Sequence, residues 1–129
     1  MVFACGEGKL KVALEVFRHD EGLNAILIGG EKTHVGAVVL ALPRTSLRGE
    51  GASCDCYVIP VPGHKDDVIA KTLATALCRA VSEPVCVSAG VHIDHATEEE
   101  IRILLDNCAD ITSRAEESYQ AENRSNNYE

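Results

Sequence analysis

The sequence predicts an α+β fold: a two-layer sandwich in which a mostly antiparallel sheet of about five strands, in the order ββββαβα, carries two helices on one face. Three observations lead there. Apolar or alternating runs, separated by short polar or glycine-containing connections, fill the first half of the chain. Apolar residues then recur at three and four positions between Val68 and Val81, the period of a helix packed on one side. Another apolar run and a second amphipathic segment follow.

The elements read in order as follows. Over Lys9–Phe17, Leu10, Val12, Leu14 and Val16 fall on one face while Lys9, Lys11 and Glu15 fall on the other, which is a half-buried strand. Arg18-His19-Asp20-Glu21-Gly22 is a polar hairpin connection. Leu23–Ile28 and Val35–Leu42 are continuous apolar runs, the latter closed by Pro43. Arg44–Gly51 is a loop, and Ser53–Val61 is the next strand. The short connections suggest an antiparallel meander. Asp66 or Asp67 is placed to cap the first helix, and Pro84 marks its exit. Val85–Val91 is a strand that follows a helical crossover, so it is expected to pair in parallel with a neighbour. Thr97 with Glu100 three residues on is a capping box, and Ile101, Leu104, Leu105, Cys108 and Ile111 form the face of the second helix. Residues 1–113 read as one domain. Residues 114–129 are polar, with little to bury, and read as a disordered tail.

Composition narrows the function. The chain has 129 residues, 46% hydrophobic but only 4% aromatic, so its core must be aliphatic and a second copy is expected to complete it, as a homodimer. A net charge of −8 argues against nucleic acid. No apolar run approaches the length of a membrane span, and no signal-like segment opens the chain, so a cytoplasmic protein is expected. None of the six cysteines forms a Cys-x-x-Cys pair, and several sit at apolar-periodic positions as small hydrophobes.

Three segments carry candidate chemistry. Gly29-Gly30-Glu31-Lys32-Thr33-His34 sits between two strands, with glycines that permit close backbone approach and with Lys32 and His34 as partners for an anion. It is neither a Walker loop nor a dinucleotide fingerprint, and a decorated hairpin turn is the plain alternative. Gly63-His64-Lys65 leads into a helix N-terminus, which favours anions; a solvated basic pair is the alternative. His92 and Asp94 share one face at the end of a strand, suited to orienting one another or to binding metal with a third ligand. Arg44 offers bidentate contact to an anion, or is a surface arginine. No nucleophile–base order and no pair of carboxylates in glycine-flanked segments stands out, which favours a binding protein over an enzyme.

Gly29–Val38, Pro43-Arg44, Gly63-His64-Lys65, Ala89–Asp94 and Ala96–Ile101 together resemble the LpdD-type proteins. These are small accessory D subunits of gallate and related UbiD-type decarboxylases, described as prenylated-flavin chaperones. The similarity spans roughly Lys9 to Ile111. The resemblance implies a non-catalytic protein that binds prenylated FMN as cargo and supplies it to an apo-decarboxylase. It implies a cofactor site from Gly29, Gly30, Lys32, His34, Gly63, His64, Lys65, His92 and Asp94, with Arg44 as an auxiliary anion contact. A divalent metal ion at His64, bridging imidazole and flavin phosphate, belongs to the same expectation. Two other readings compete: a small metal-dependent enzyme acting on a phosphorylated substrate, and a structural decarboxylase subunit that binds no cofactor.

Overall fold

A computed structural model describes residues 1–45, 52–63 and 65–127. His64, Arg48 and most of the Arg44–Gly51 loop lie outside the described residues. The six strands are β1 (Val2–Cys5), β2 (Val12–His19), β3 (Gly22–Gly30), β4 (Ala37–Thr45), β5 (Ala52–Pro60) and β6 (Val85–His92). The helices are α1 (Asp67–Val81) and α2 (Glu98–Asn126), and a 3₁₀ turn spans Gly8–Leu10. The expected α+β class with two helices holds. Strand β1 is additional; at four residues, followed by Gly6 and Gly8, it carries too short an alternation to be read locally. The 3₁₀ turn also delays the start of β2 from Lys9 to Val12.

The sheet order is β1-β2-β3-β6-β4-β5. The meander therefore holds for β1–β3 and for β4–β5, both antiparallel, but breaks between β3 and β4. Strand β6 inserts there, parallel to β3 and antiparallel to β4. Both of its neighbours are strands, so β6 is shielded along its two edges. Its alternate residues Val85, Val87 and Ala89 are buried. Strand β4 runs on through Pro43, where the sequence suggested a stop. Pairing to β6 ends at Ala41, so the proline interrupts no central ladder there.

One core lies between sheet and helices. Val12, Leu14, Val16, Leu23, Ala25, Leu27, Ala37, Val39 and Ala41 face Leu73, Leu77, Leu104 and Ile111 in a single buried cluster. Helix α1 packs on β4, β5 and β6, and α2 on β1 and β2. The capping box is formed: Thr97 Oγ1 accepts from Glu100 N at 3.1 Å, and Glu100 Oε1 accepts from Thr97 N at 3.0 Å. Lys9 Nζ reaches the same Glu100 at 2.6 Å, tying the 3₁₀ turn to the helix start.

Helix α2 continues to Asn126, where the polar composition of 114–129 suggested a disordered tail. Ile111, Ala115 and Tyr119 recur every four residues and are all buried, which extends the packed stripe past Ser113. Two buried residues were too sparse a signal against the surrounding Glu, Asn and Ser. No helix among the described residues is long and apolar enough to cross a membrane.

The thiols are placed as hydrophobes. Cys54 and Cys56 lie on the α1 side of β5, beside Thr75. Burial, then the neighbouring Cys54 and Cys56, push the Cys78 thiol up to about 12. Burial and the Asp66 carboxylate push Cys108 up to about 11. Both remain protonated at neutral pH and are poor nucleophiles.

Candidate ligand site at the end of strand β6

Because β6 separates β3 from β4, residues 31–36 are no hairpin turn. They cross the C-terminal end of β6 to reach β4 on its far side. The crossing is held by backbone bonds. Glu31 N and Lys32 N donate to His92 O at 2.8 and 3.4 Å, and Gly36 N donates to Ala89 O at 2.8 Å. Gly30, at φ 81°, turns the chain out of β3, and its own N–H donates to Lys11 O at 3.1 Å. These four N–H groups are engaged by the protein, so of the backbone donors in residues 29–34 those of Gly30, Glu31 and Lys32 are already committed.

The crossover passes so close to β6 that a Cβ at Gly90 would overlap the His34 carbonyl oxygen. Gly36 likewise leaves the space that the Asp66 carboxylate fills. This close approach brings three sequence segments together. His34 Nε2 donates to Asp66 Oδ2 at 2.9 Å. Asp66 Oδ1 accepts from Val91 N at 3.0 Å. The His34 and His92 rings meet edge to face, 6.0 Å between centroids. His92 Nε2 donates to Asp94 Oδ1 at 2.8 Å, as the alternation along that strand suggested. This hydrogen bond and the His92 charge hold the Asp94 carboxyl below its ordinary range, with His95 and Lys32 acting in the same direction, so it is ionised at neutral pH.

Asp66 is the residue that sequence reasoning missed. It precedes α1 as its N-cap residue, but its side chain makes no capping bond. It is 5% exposed and points into the sheet, where β4 has not yet begun and the Val91 N–H would otherwise lack a strand partner. The first N–H groups of α1 are thus left uncovered by their cap residue, at the end of the segment that carries Gly63 and Lys65. No local pattern separates a capping aspartate from one turned inward.

The remaining candidates divide. Gly29 is a buried strand residue opposite Val91, one side of the same strand end. Lys32 and Lys65 are exposed, and Gly63 takes a left-handed turn at φ 85°. His64, the candidate metal ligand, lies outside the described residues. Among the described residues no group of three or more His, Cys, Asp and Glu could hold a metal ion. Arg44 is not brought to the site. It sits near the opposite end of β4, roughly 20 Å of strand away, with its Nε donating to Asp55 Oδ1 at 2.8 Å. Arg44→Ala is accordingly expected to leave ligand uptake unchanged and to shift stability by no more than about 0.5 kcal/mol, since the pair is exposed. Parallel urea titrations and binding assays of the variant check this.

The donor set fits a phosphorylated flavin in kind. Two exposed lysines and a helix N-terminus to which Asp66 gives no capping bond suit a phosphate. The paired imidazoles and aliphatic strand ends suit a ring system with polar edges. Tyr57 is no stacking partner here, since it lies on the edge strand β5 opposite Leu40, level with Cys86 and not with the end of β6.

Comparison with known proteins bears on both fold and family. A chain from the crystal structure of a novel chaperone complex for yeast 20S proteasome assembly superposes with a TM-score of 0.56 at 14% identity. The match covers 95% of this chain and 98% of that one, and it speaks to the fold alone. No curated protein matches the sequence. The model of the prenylated flavin chaperone LpdD-like domain matches residues 6–120, which takes in every strand from β2 onward, the crossover, Asp66 and most of α2. The chain belongs to the prenylated flavin chaperone LpdD-like family.

Proposed function

We propose that this protein is a non-catalytic chaperone that binds prenylated FMN at the C-terminal end of β6 and delivers it to an apo UbiD-type decarboxylase. It would act in the cytoplasm, where its six thiols stay reduced, and as a homodimer. The observation that carries the reading is the convergence of crossover, α1 entry and β6 end on the buried Asp66 carboxylate, in a chain of this family.

The residues divide the work by chemistry. Lys32, Lys65 and the start of α1 offer positive charge for the phosphate, helped by His64 at the α1 entry. Gly29 and Gly30 let the strand end pack against the Lys11 and His92 carbonyls, and Gly63 leaves open space at the approach to α1. Asp66 fixes the His34 ring, and Asp94 fixes the His92 ring, so the two imidazoles meet a ligand in set orientations. Prenylated FMN supplies its decarboxylation chemistry only once it sits in the acceptor enzyme. A carrier must also let go, and a site built on exposed lysines at a strand end is suited to exchange.

The test is an anaerobic titration of the protein with reduced prenylated FMN and with plain FMN, with and without divalent cation, followed by mixing with apo-decarboxylase. Uptake of the prenylated form and activation of the enzyme are expected. Lys32→Ala and His34→Ala should each weaken uptake roughly 10- to 100-fold, the worth of one charged hydrogen bond. Unchanged affinity in both variants would remove this site from the account. Copurification with the decarboxylase without any flavin uptake would identify a structural subunit instead.

A further inference from the structure

The helices cover one face of the sheet, and strand alternation fixes what the other face presents. Phe17, Ile26, Leu40, Tyr57 and Ile59 all point there, between 40% and 68% exposed. Ile28, Val38 and Leu42 lie among them. Charge on this face lies outside β3 and β6, as Glu15 on β2 directly opposite Ile26, and as the Arg44–Asp55 pair near the β4–β5 end. In a chain of net charge −8 the centre of this face, on β3, β6 and β4, carries none. Asn24 on β3 and Ser88 on β6 are uncharged polar residues there, and an uncharged, largely apolar surface of this extent exceeds what a monomer ordinarily leaves in water.

We infer that a second copy of this chain covers this open face, so that the two sheets form the seam of the homodimer. The inference rests on the dimeric chaperone reading above and locates its interface. Three properties favour a second copy over a different partner. The uncharged centre meets itself across a twofold axis without like-charge repulsion and has no complementary pattern for a partner of opposite charge. Two copies carry the same twist, the condition for aligned face-to-face packing about 10 Å apart. The footprint also matches: five strands of eight or nine residues plus the short β1 give roughly 25 by 26 Å, or about 650 Å² per copy. A standard interface uses about 800 Å² per partner, which side-chain relief on a flat footprint supplies. A hollow of about 130 Å³ at the start of β3 and β6, lined by His19, Glu21, Asn24, Leu40, Pro84 and Cys86, provides a recess with a polar rim.

Sedimentation equilibrium of the full chain is expected to give twice its 13.8 kDa mass. Ile26→Asp combined with Leu40→Asp should raise the dimer dissociation constant ~100-fold or more, because each dimer would bury unpaired carboxylates, with circular dichroism unchanged. A monomeric wild type overturns the inference, and so does a folded double variant that stays dimeric. A second measurement needs no variant: hydroxyl-radical oxidation of Tyr57 should fall as the wild type is concentrated into the dimer. Full reactivity of Tyr57 in the dimer places the seam elsewhere and also overturns the inference. Flavin uptake by the same samples reports on function separately. A dimer protected at Tyr57 that takes up no cofactor upholds the seam while removing the chaperone reading.

Discussion

Asp66→Ala is expected to cost about 2–3 kcal/mol of stability and to abolish uptake of prenylated FMN. The carboxylate is buried, and both of its oxygens are engaged, by His34 Nε2 at 2.9 Å and by Val91 N at 3.0 Å. Removing it leaves a backbone N–H of the central strand without its partner, and that desolvation alone costs about 1–3 kcal/mol. At this chain length the loss lowers the melting temperature by roughly 5–10 °C. Uptake fails for a different reason, since His34 loses the group that orients it. Asp66→Asn separates the two effects. The amide oxygen still accepts from Val91 N, so most of the stability should return, while the group facing His34 becomes a donor and the ring must turn or change tautomer. Thermal melts with flavin titrations of both variants decide the matter. Equal loss of stability in the two would mean that the charge, and not the bond to Val91, is what matters.

Gly90→Val should be the most damaging single change at the site, about 3 kcal/mol or more. Even one added carbon would overlap the His34 carbonyl oxygen, which is backbone and cannot swing aside. The crossover must lift, and lifting it strains the Gly36–Ala89 bond and draws His34 from Asp66. If the damage runs through that contact, combining Gly90→Val with Asp66→Ala should cost clearly less than the sum of the two, because residues sharing one network are not additive. Gly63→Ala is the comparison, with nothing within 4 Å of the added carbon, so that only its left-handed φ of 85° resists, worth roughly 1–2 kcal/mol. Full additivity in the double variant would place the Gly90 effect outside the His34–Asp66 pair.

The same two residues show how the family resemblance and the geometry divide the explanation. Gly90 stands in the Ala89–Asp94 motif that carries the likeness to the LpdD-type proteins, and the structure gives the motif a cause, the close passage of the crossover over β6. Asp66 stands outside every motif singled out for that likeness, yet it ties the three motif segments together. Resemblance found the segments; it did not find what joins them.

The local elements were legible along the chain. Alternation marked β2, apolar runs marked β3, β4 and β6, the three-and-four spacing marked α1, and Thr97 with Glu100 marked the start of α2, because each of these depends on neighbours along the chain. Equally legible was that Lys32, His34, Lys65, His92 and Asp94 stand at strand and helix ends. That β6 enters between β3 and β4, turning an apparent hairpin loop into a crossover, emerges from the folded sheet alone. That choice depends on pairing between residues some sixty positions apart, such as Leu27 with Ala89, and no local period records it. The fold also turned Asp66 inward to meet Val91 N, beyond Ala89 where the pairing of β6 with β4 stops. The stripe that carries α2 to Asn126 was likewise settled by burial of Ala115 and Tyr119, since two residues at helical spacing acquire meaning only against the sheet they cover.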